Sequence, residues 1–490
     1  MTDATWIAAL LAGPAGGAFA VYLLARVWPS RWQKRRNEAL ASFTALVLAL
    51  SLGVWGAPGK GTTSMWGSVL AGGAFLRTDP GAMLIIGLAL AIGLLVSIYS
   101  GRYLALDRRY ATYYPLLLLL SSGLIGMSLA ADLFNMYLFC ELMSVSAYAL
   151  VAFRRSTDTA IEAGFKYLIM GSVGTVSMLL GISFVYRQTG QLALPQPAFV
   201  GPWGRAGTAL ILIGLAIKSA IVPLHTWLPD AYGRAPASIS ALLAAIASKS
   251  TLYILARVCL QLGMSAAVLG LMLIWLSFLN MTLGNVMALV QTNTKRLLAY
   301  SSVAQTGYIM FSLGIGLRYN SAAAIQAAMF VLLTHAVMKA TAFLSKGVCH
   351  FYLGITTVEQ LQGTANQLPP IAVTFSLSLA GLAGVPPLAG FAAKWGVLTS
   401  ALGHADATVY AGMILFLLNS VVALGYYLPL IAAMFKPATP PTARPIVVSG
   451  WMLAPLLMLG GLTIAIGIYP IAWLAWTEQI GVYLLSFTSP

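Results

Sequence analysis

The stretch LLTHAVMKATAFLSKGVCHF, residues 332–351, is long and apolar enough to be a membrane-spanning helix, yet it carries His335, Lys339 and Lys346. At about 100° per residue, these three side chains fall within about 40° of one another on one helical face. A charged group at mid-bilayer costs roughly 3 kcal/mol on insertion scales, so such groups have partners and roles. A basic stripe of this kind does not face lipid. It must look into a helical bundle or along a hydrated path, with Lys346 marking where that path nears the cytoplasm.

The whole chain supports a membrane setting. Of 490 residues, 59% are apolar and 8% charged, with a mean hydropathy of +0.86. A soluble domain carries about a quarter charged residues. A span needs about 20 apolar residues, which gives about fourteen spans along this chain. Their centres fall near Ala15, Leu48, Leu90, Leu120, Leu142, Val176, Leu212, Leu243, Ile274, Met310, Val331, Leu382, Phe416 and Met458. A terminal segment, AWTEQIGVYLLSF, is expected along the interface. The first apolar run has no basic residues before it and a basic cluster after it, which reads as a first span and not as a cleaved signal.

Basic residues mark alternate connections: Arg26, Arg31, Lys34, Arg35 and Arg36; Arg102, Arg108 and Arg109; Arg154 and Arg155; Arg234; Lys295 and Arg296; Lys346; Lys436 and Arg444. The intervening connections hold isolated cations such as Lys60, Arg77, Arg187, Arg205 and Arg318. The bias places the first set in the cytoplasm and both termini on the outer, periplasmic side of a cell (inner) membrane. It also accounts for most of the net charge of +15. With no soluble surface to carry a basic patch, a nucleic-acid partner is excluded. Cys140, Cys259 and Cys349 show no paired spacing and read as buried apolar fillers.

A repeat is legible. TAIEAGFKYL from Thr159 resembles AAIQAAMFVL from Ala323, and IVPLHTWL from Ile221 resembles GVPPLAGF from Gly384. Ile161 to Ile325 and Leu224 to Leu388 are both displaced by 164 positions. The displacement covers five spans, an odd number, so the copies cross in opposite senses, an architecture common in transport machinery. Both copies contain a helix breaker: Pro223 in the first, Pro386 and Pro387 in the second. Proline removes a backbone donor and clashes with the preceding turn. A packing kink is the plain alternative. Freed backbone groups at depth are tolerated only inside protein or beside a wet cavity.

Only twelve acids are present. Asp132 reads as interfacial, whereas Glu141 lies well inside a span. Lys218, Lys249, Lys339 and Lys394 lie at comparable depth, with His335 nearby. Lys166, Arg257 and Lys346 sit nearer span ends, where long side chains snorkel to the interface. Burial disfavours a charged amine and a neighbouring carboxylate favours it, so a row of amines can hand a proton along. A static polar network holding helices together is the competing reading. His225 is placed to cap carbonyls freed at Pro223, and His350 and His404 fall in connections.

Five motifs, DLFNMYLFCELMSVSAYAL, AIKSAIVPLHTWLPDAYGRAPASISALLAAIASKSTLYILARV, TNTKRLLAYSSVAQTGYIMFSLG, THAVMKATAFLSKG and SLAGLAGVPPLAGFAAKWGVL, occur in that order. Together they resemble the antiporter-like subunits shared by respiratory complex I, membrane-bound hydrogenases and Mrp-type cation/proton antiporters. The resemblance implies an all-α polytopic fold of about 14 transmembrane helices with two inverted five-helix repeats, each holding a broken helix. It implies N-terminal helices over 1–105, a first repeat over 112–262, a second over 264–435, and a C-terminal helix and tail over 445–490. It implies that Glu141 pairs with Lys218, that Lys249 bridges, that His335 and Lys339 relay, and that Lys394 exchanges protons with the far side. Lys394 in place of a glutamate disfavours one class of complex I subunit, and Asp230 leans away from many Mrp D-type subunits. The reading leans to a Mrp D-like subunit that moves protons against Na+ or K+, with a complex I-like or hydrogenase-like proton-pumping subunit as the alternative. Other membrane subunits are its expected partners. No cofactor or metal is expected, since ferredoxin-like cysteine runs are absent and His335 has no evident axial partner. A stand-alone solute carrier is a third reading, which the row of charges fits less well.

Overall fold

The structure is a computed structural model that describes residues 3–27, 33–56, 76–105, 107, 109–154, 157–404, 406–437 and 445–488. Arg31, Lys60, Arg108, Arg155 and Arg444, used above for orientation, lie outside the described residues. The described chain is almost wholly helical. Its helices are α1 (Asp3–Val27), α2 (Gln33–Gly56), α3 (Pro80–Tyr103), α4 (Tyr110–Leu129), α5 (Leu133–Val151), α6 (Asp158–Thr189), α7 (Pro202–Lys218), α8 (Trp227–Arg234), α9 (Ala237–Leu242), α10 (Ser248–Gln261), α11 (Ala266–Leu289), α12 (Thr294–Arg318), α13 (Ala322–Leu353), α14 (Thr364–Gln367), α15 (Pro369–Ala383), α16 (Ala389–Leu402), α17 (Ala407–Phe435), α18 (Gly450–Ile468) and α19 (Ile471–Leu485).

Among the described residues, 11 helical segments are long and apolar enough to cross a membrane. Each holds one expected span centre. The other three centres, Leu212, Met310 and Leu382, fall in α7, α12 and α15. α7 and α15 are cut short by the breaks, and α12 is too polar for a hydropathy window.

The chain divides into two compact units. One holds Met1–Ala220, Ile246–Leu269 and Tyr483–Pro490; the other holds Ile221–Ala245 and Gly270–Val482. Within the first, α1 and α2 are only 33% and 28% buried in their apolar windows, as expected of helices facing lipid. The segment Ala237–Gln261, which ends in α10, and α13 of the second unit are each 100% buried. These two interior segments carry Lys249, His335 and Lys339, so the polar residues sit where protein and not hydrocarbon surrounds them.

The repeat is visible in the backbone. α6 and α13 are each 32 residues long, and each ends on a left-handed glycine cap, Gly190 and Gly354. Starts and caps keep the displacement of 164 (158 to 322, 190 to 354). After each long helix the chain returns to the helix before it. Leu133 N donates to Leu192 O at 3.0 Å, and Thr294 N to Thr356 O at 3.1 Å. The return is completed by Leu194 N to Ala131 O at 2.9 Å and Val358 N to Thr292 O at 3.0 Å.

Both breaks follow one design. α7 stops at Lys218, Ala220 takes φ 55°, and α8 begins at Trp227; α15 stops at Ala383, Gly384 takes φ 95°, and α16 begins at Ala389. Ala220 and Gly384 are again 164 positions apart. Leu224 N bonds Ile221 O at 2.7 Å in one break, and Leu388 N bonds Val385 O at 3.1 Å in the other. The Val222–Pro223 and Pro386–Pro387 peptides are cis. In the second unit, side chains take over the freed backbone groups, as low-dielectric surroundings require. Asn280 Oδ1 accepts from Val222 N at 2.9 Å, Gln305 Nε2 donates to Leu382 O at 3.3 Å, and Lys394 Nζ donates to Ala383 O at 2.9 Å.

Candidate functional site: two sets of buried amines

In the first unit, Lys218 closes α7 and is buried. A cation at a helix C-terminus is favoured by the macrodipole. Its Nζ donates to Ser144 Oγ at 2.7 Å and Tyr148 OH at 2.8 Å, both on α5. Glu141, Ser144 and Tyr148 are spaced three and four apart, so they share one face of α5. Among the described residues no ion pair joins Glu141 to Lys218 within 4.0 Å. The expected contact is therefore corrected: the ammonium sits one turn further along that face, held by hydroxyls, and Glu141 is partly exposed.

Lys249 is completely buried near the start of α10 and donates to Ser248 Oγ at 3.1 Å. A π turn, Leu243–Ala247, precedes it. Such widened turns are rare and concentrate at functional sites. The turn leaves a carbonyl to be satisfied, and in the second unit Tyr232 OH donates to Leu243 O at 2.9 Å. Ser219 Oγ, next to Lys218, reaches Thr251 Oγ1 at 3.0 Å, two residues beyond Lys249. A hydroxyl pair thus connects the neighbourhoods of the two lysines.

Arg257 does not snorkel, which corrects the expectation above. It is 2% exposed, and its Nη1 pairs with Asp79 Oδ2 at 2.5 Å. Asp79 Oδ1 also accepts from Tyr253 OH at 2.5 Å and from Ala82 N at 2.8 Å, so this carboxylate caps α3 as well. Arg257 further donates to Ser128 O at 2.7 Å and Ala130 O at 3.2 Å. Lys166 does reach outward, in an exposed i,i+4 pair with Glu162 at 2.7 Å.

In the second unit, His335, Lys339 and Lys346 lie on α13, all buried. Lys339 Nζ donates to Ser301 Oγ at 2.5 Å and Leu298 O at 2.8 Å on α12. Lys346 was also expected to snorkel; instead its Nζ turns to the chain's own reversal and donates to Ile355 O at 2.5 Å. Lys394 is partly buried and stands 5.2 Å from the centroid of the Tyr308 ring, in cation–π range. Tyr308 OH accepts from Asn285 Nδ2 at 3.2 Å, and Asn285 in turn joins Tyr426 OH at 2.8 Å and Asn419 Oδ1 at 3.0 Å.

Chemically, the four lysines fall into two kinds. Lys218 and Lys249 donate to hydroxyls, which can accept from an ammonium or donate to a neutral amine. Lys339 and Lys394 each donate to a backbone carbonyl, which only accepts, although Lys339 also has the Ser301 hydroxyl. Sequence reasoning missed the hydroxyl partners, the π turn, Asp79 and the Asn285 cluster. The four-residue spacing of Lys249, Tyr253 and Arg257 was the one available signal.

Comparison with known proteins gives the family. Residues 130–425 match the family model described as NADH:quinone oxidoreductase/Mrp antiporter, TM. The chain belongs to that family. Among relatives, it is 33% identical over 448 residues to the N subunit of the NADH-quinone oxidoreductase of Desulforudis audaxviator (strain MP104C), covering 85% of each chain. It is 30% identical over 389 residues to the D subunit of the Na(+)/H(+) antiporter of Bacillus subtilis (strain 168), covering 78% of this chain and 75% of that one. Its fold superposes with a TM-score of 0.86 and 28% identity on a chain of the membrane-bound sulfane sulfur reductase, an archaeal respiratory membrane complex, covering 98% of each. The protein is an antiporter-like membrane subunit with the fold of this family.

Proposed function

We propose that this chain translocates protons across a cell membrane as one subunit of a larger membrane complex. The observation that carries the reading is the pair of broken helices, each with a lysine at the break: Lys218 at the end of α7 with hydroxyl partners, and Lys394 on a carbonyl freed at the end of α15. Lys249 in the first unit, and His335 and Lys339 in the second, supply further buried amines and an imidazole.

In this reading Glu141 receives or senses charge from a neighbouring subunit. When Lys218 swings along α5 from Ser144 toward Glu141, a rise of about 4.5 Å, the pair favours the ammonium form. When it swings back, the hydroxyls of Ser144 and Tyr148 can also donate to a neutral amine, and the proton passes toward Lys249. His335 and Lys339 carry it on to Lys394, which releases it. Moving one charge through 100 mV is worth about 2.3 kcal/mol, comparable to what relocating one carboxylate does to a buried amine.

The partners are other membrane subunits, as the sulfane sulfur reductase complex illustrates for a protein of this fold. Coupled Na+ or K+ movement and a redox-driven parent are both compatible, since N-type oxidoreductase and D-type antiporter relatives match at similar identity. The Lys and Arg asymmetry supports termini on the outer side of an inner membrane. The test is proton flux in vesicles containing the native complex with Glu141→Gln or Lys218→Ala. Loss of flux with intact assembly is expected; wild-type flux in either variant overturns the reading. Co-purification with flavin and iron–sulfur proteins, or with small membrane subunits alone, decides the parent.

A further inference from the structure

α10 carries more than Lys249. Lys249, Tyr253, Arg257 and Gln261 are spaced by four residues and form one slowly turning face, and each is buried, at 0%, 0%, 2% and 6% exposure. Asp79 meets this column at the level of Tyr253 and Arg257. Gln196 meets it at the end, where its backbone N donates to Gln261 O at 2.8 Å, and it too is buried. Among the described residues, Arg257 Nε, Gln261 Oε1 and both polar atoms of the Gln196 amide have no hydrogen-bond partner in the protein. Buried polar atoms without protein partners are the ones internal water satisfies. Three such side chains around the end of one helix indicate a hydrated vestibule. By the Lys and Arg bias, that end of α10, the Gln196 connection and Asp79 all lie toward the outer face.

We propose that the first unit contains its own proton exit to the outer face, running from Lys249 through Tyr253 and Asp79 to water held by Arg257, Gln261 and Gln196. The proposal rests on the proton-translocation reading above and adds a branch to it. Lys249 and Tyr253 are four residues apart on one face of α10, about 6 Å of rise, and in the proposed route a water bridges the amine and the hydroxyl. The Lys249 ammonium gives one proton to the Tyr253 oxygen as the Tyr253 hydroxyl gives its own to Asp79 Oδ1. Neutral Asp79 then loosens from Arg257 and hands that proton to vestibule water, returning to carboxylate. Arg257 keeps its charge throughout and draws Asp79 back into the ion pair, which closes the exit. One proton enters, one leaves, and no electrons move.

The experiment uses the native complex reconstituted in vesicles, with proton flux read by a pH-sensitive dye and its solvent isotope effect measured. Tyr253→Phe removes only the hydroxyl and Gln261→Leu only the amide; both keep the Asp79–Arg257 pair. Tyr253→Phe is expected to cut flux through this exit by about a hundredfold, the low end for losing a positioned proton-transfer group. Gln261→Leu is expected to cut flux and alter the isotope effect, which a purely structural change would leave alone. Hydroxyl-radical labelling of wild-type Tyr253, expected to be positive, reads vestibule water even if a variant fails to assemble. Wild-type flux and isotope effect in both variants, or no labelling of Tyr253, overturns the exit. Glu141→Gln, run in parallel, separates the two ideas: if it loses flux while both exit variants keep theirs, only the exit falls. Full flux in Glu141→Gln overturns the underlying reading and the exit with it.

Discussion

The Lys218 ammonium donates to the Tyr148 hydroxyl at 2.8 Å, and Tyr148 lies two turns beyond Glu141 on the same face of α5. The lysine is therefore parked on hydroxyls, with a carboxylate one turn short of contact. An ammonium locked to a carboxylate would resist giving up its proton. One held by Ser144 and Tyr148 can lose it, because a hydroxyl hydrogen-bonds either form.

Ser144→Ala and Tyr148→Phe each remove one of these partners. Each variant should slow proton flux by about tenfold, equivalent to about 1.4 kcal/mol, with the double variant slower than either. Flux measurements on the reconstituted complex check this. Unchanged rates would mean that the hydroxyls serve packing alone.

Backbone chemistry at the two breaks should also differ. Ala220 and Gly384 occupy corresponding left-handed positions. Ala220→Gly relieves roughly 1 kcal/mol of left-handed strain and loses about 0.8 kcal/mol of methyl burial, so its stability should barely change. Gly384→Ala adds the strain and places a Cβ 3.0 Å from Lys394 Cδ. It should lower the thermal midpoint and slow flux by displacing Lys394. Thermal unfolding of both variants in detergent tests the contrast.

The break in the chain at Val222 depends on Asn280. Asn280→Ala leaves a buried backbone N–H without its acceptor, which costs about 1–3 kcal/mol. A lowered thermal midpoint is expected, and an unchanged one would show that the break is satisfied some other way.

Much of this architecture was legible because it is written in local patterns. Hydropathy placed eleven of the fourteen expected centres in helices long and apolar enough to span a membrane, and the displacement of 164 that links Leu224 with Leu388 recurs in the caps Gly190 and Gly354. Pro223, Pro386 and Pro387 marked the breaks because a missing donor acts wherever it sits. The failures share a cause: the partner lies far away in the chain. Arg257 looked free to snorkel because nothing local shows Asp79, 178 positions away. Lys346 looked the same because Ile355 O is presented only once the chain reverses after α13. The π turn before Lys249 lies in LLAAIASKS, whose small and apolar residues carry no mark of a widened turn. The family resemblance implied Glu141 as the partner of Lys218, but the lysine's Nζ reaches Ser144 and Tyr148 on α5 instead.

The central claim is that buried amines carry the proton by losing and regaining it. Lys218→Arg tests this most directly, because arginine keeps the positive charge but does not deprotonate in proteins. The measurement is proton flux through the assembled Lys218→Arg complex in vesicles. Flux reduced to the background of empty vesicles, with assembly intact, is the predicted result. Flux at the wild-type rate would contradict the account, since a permanently charged side chain would then suffice.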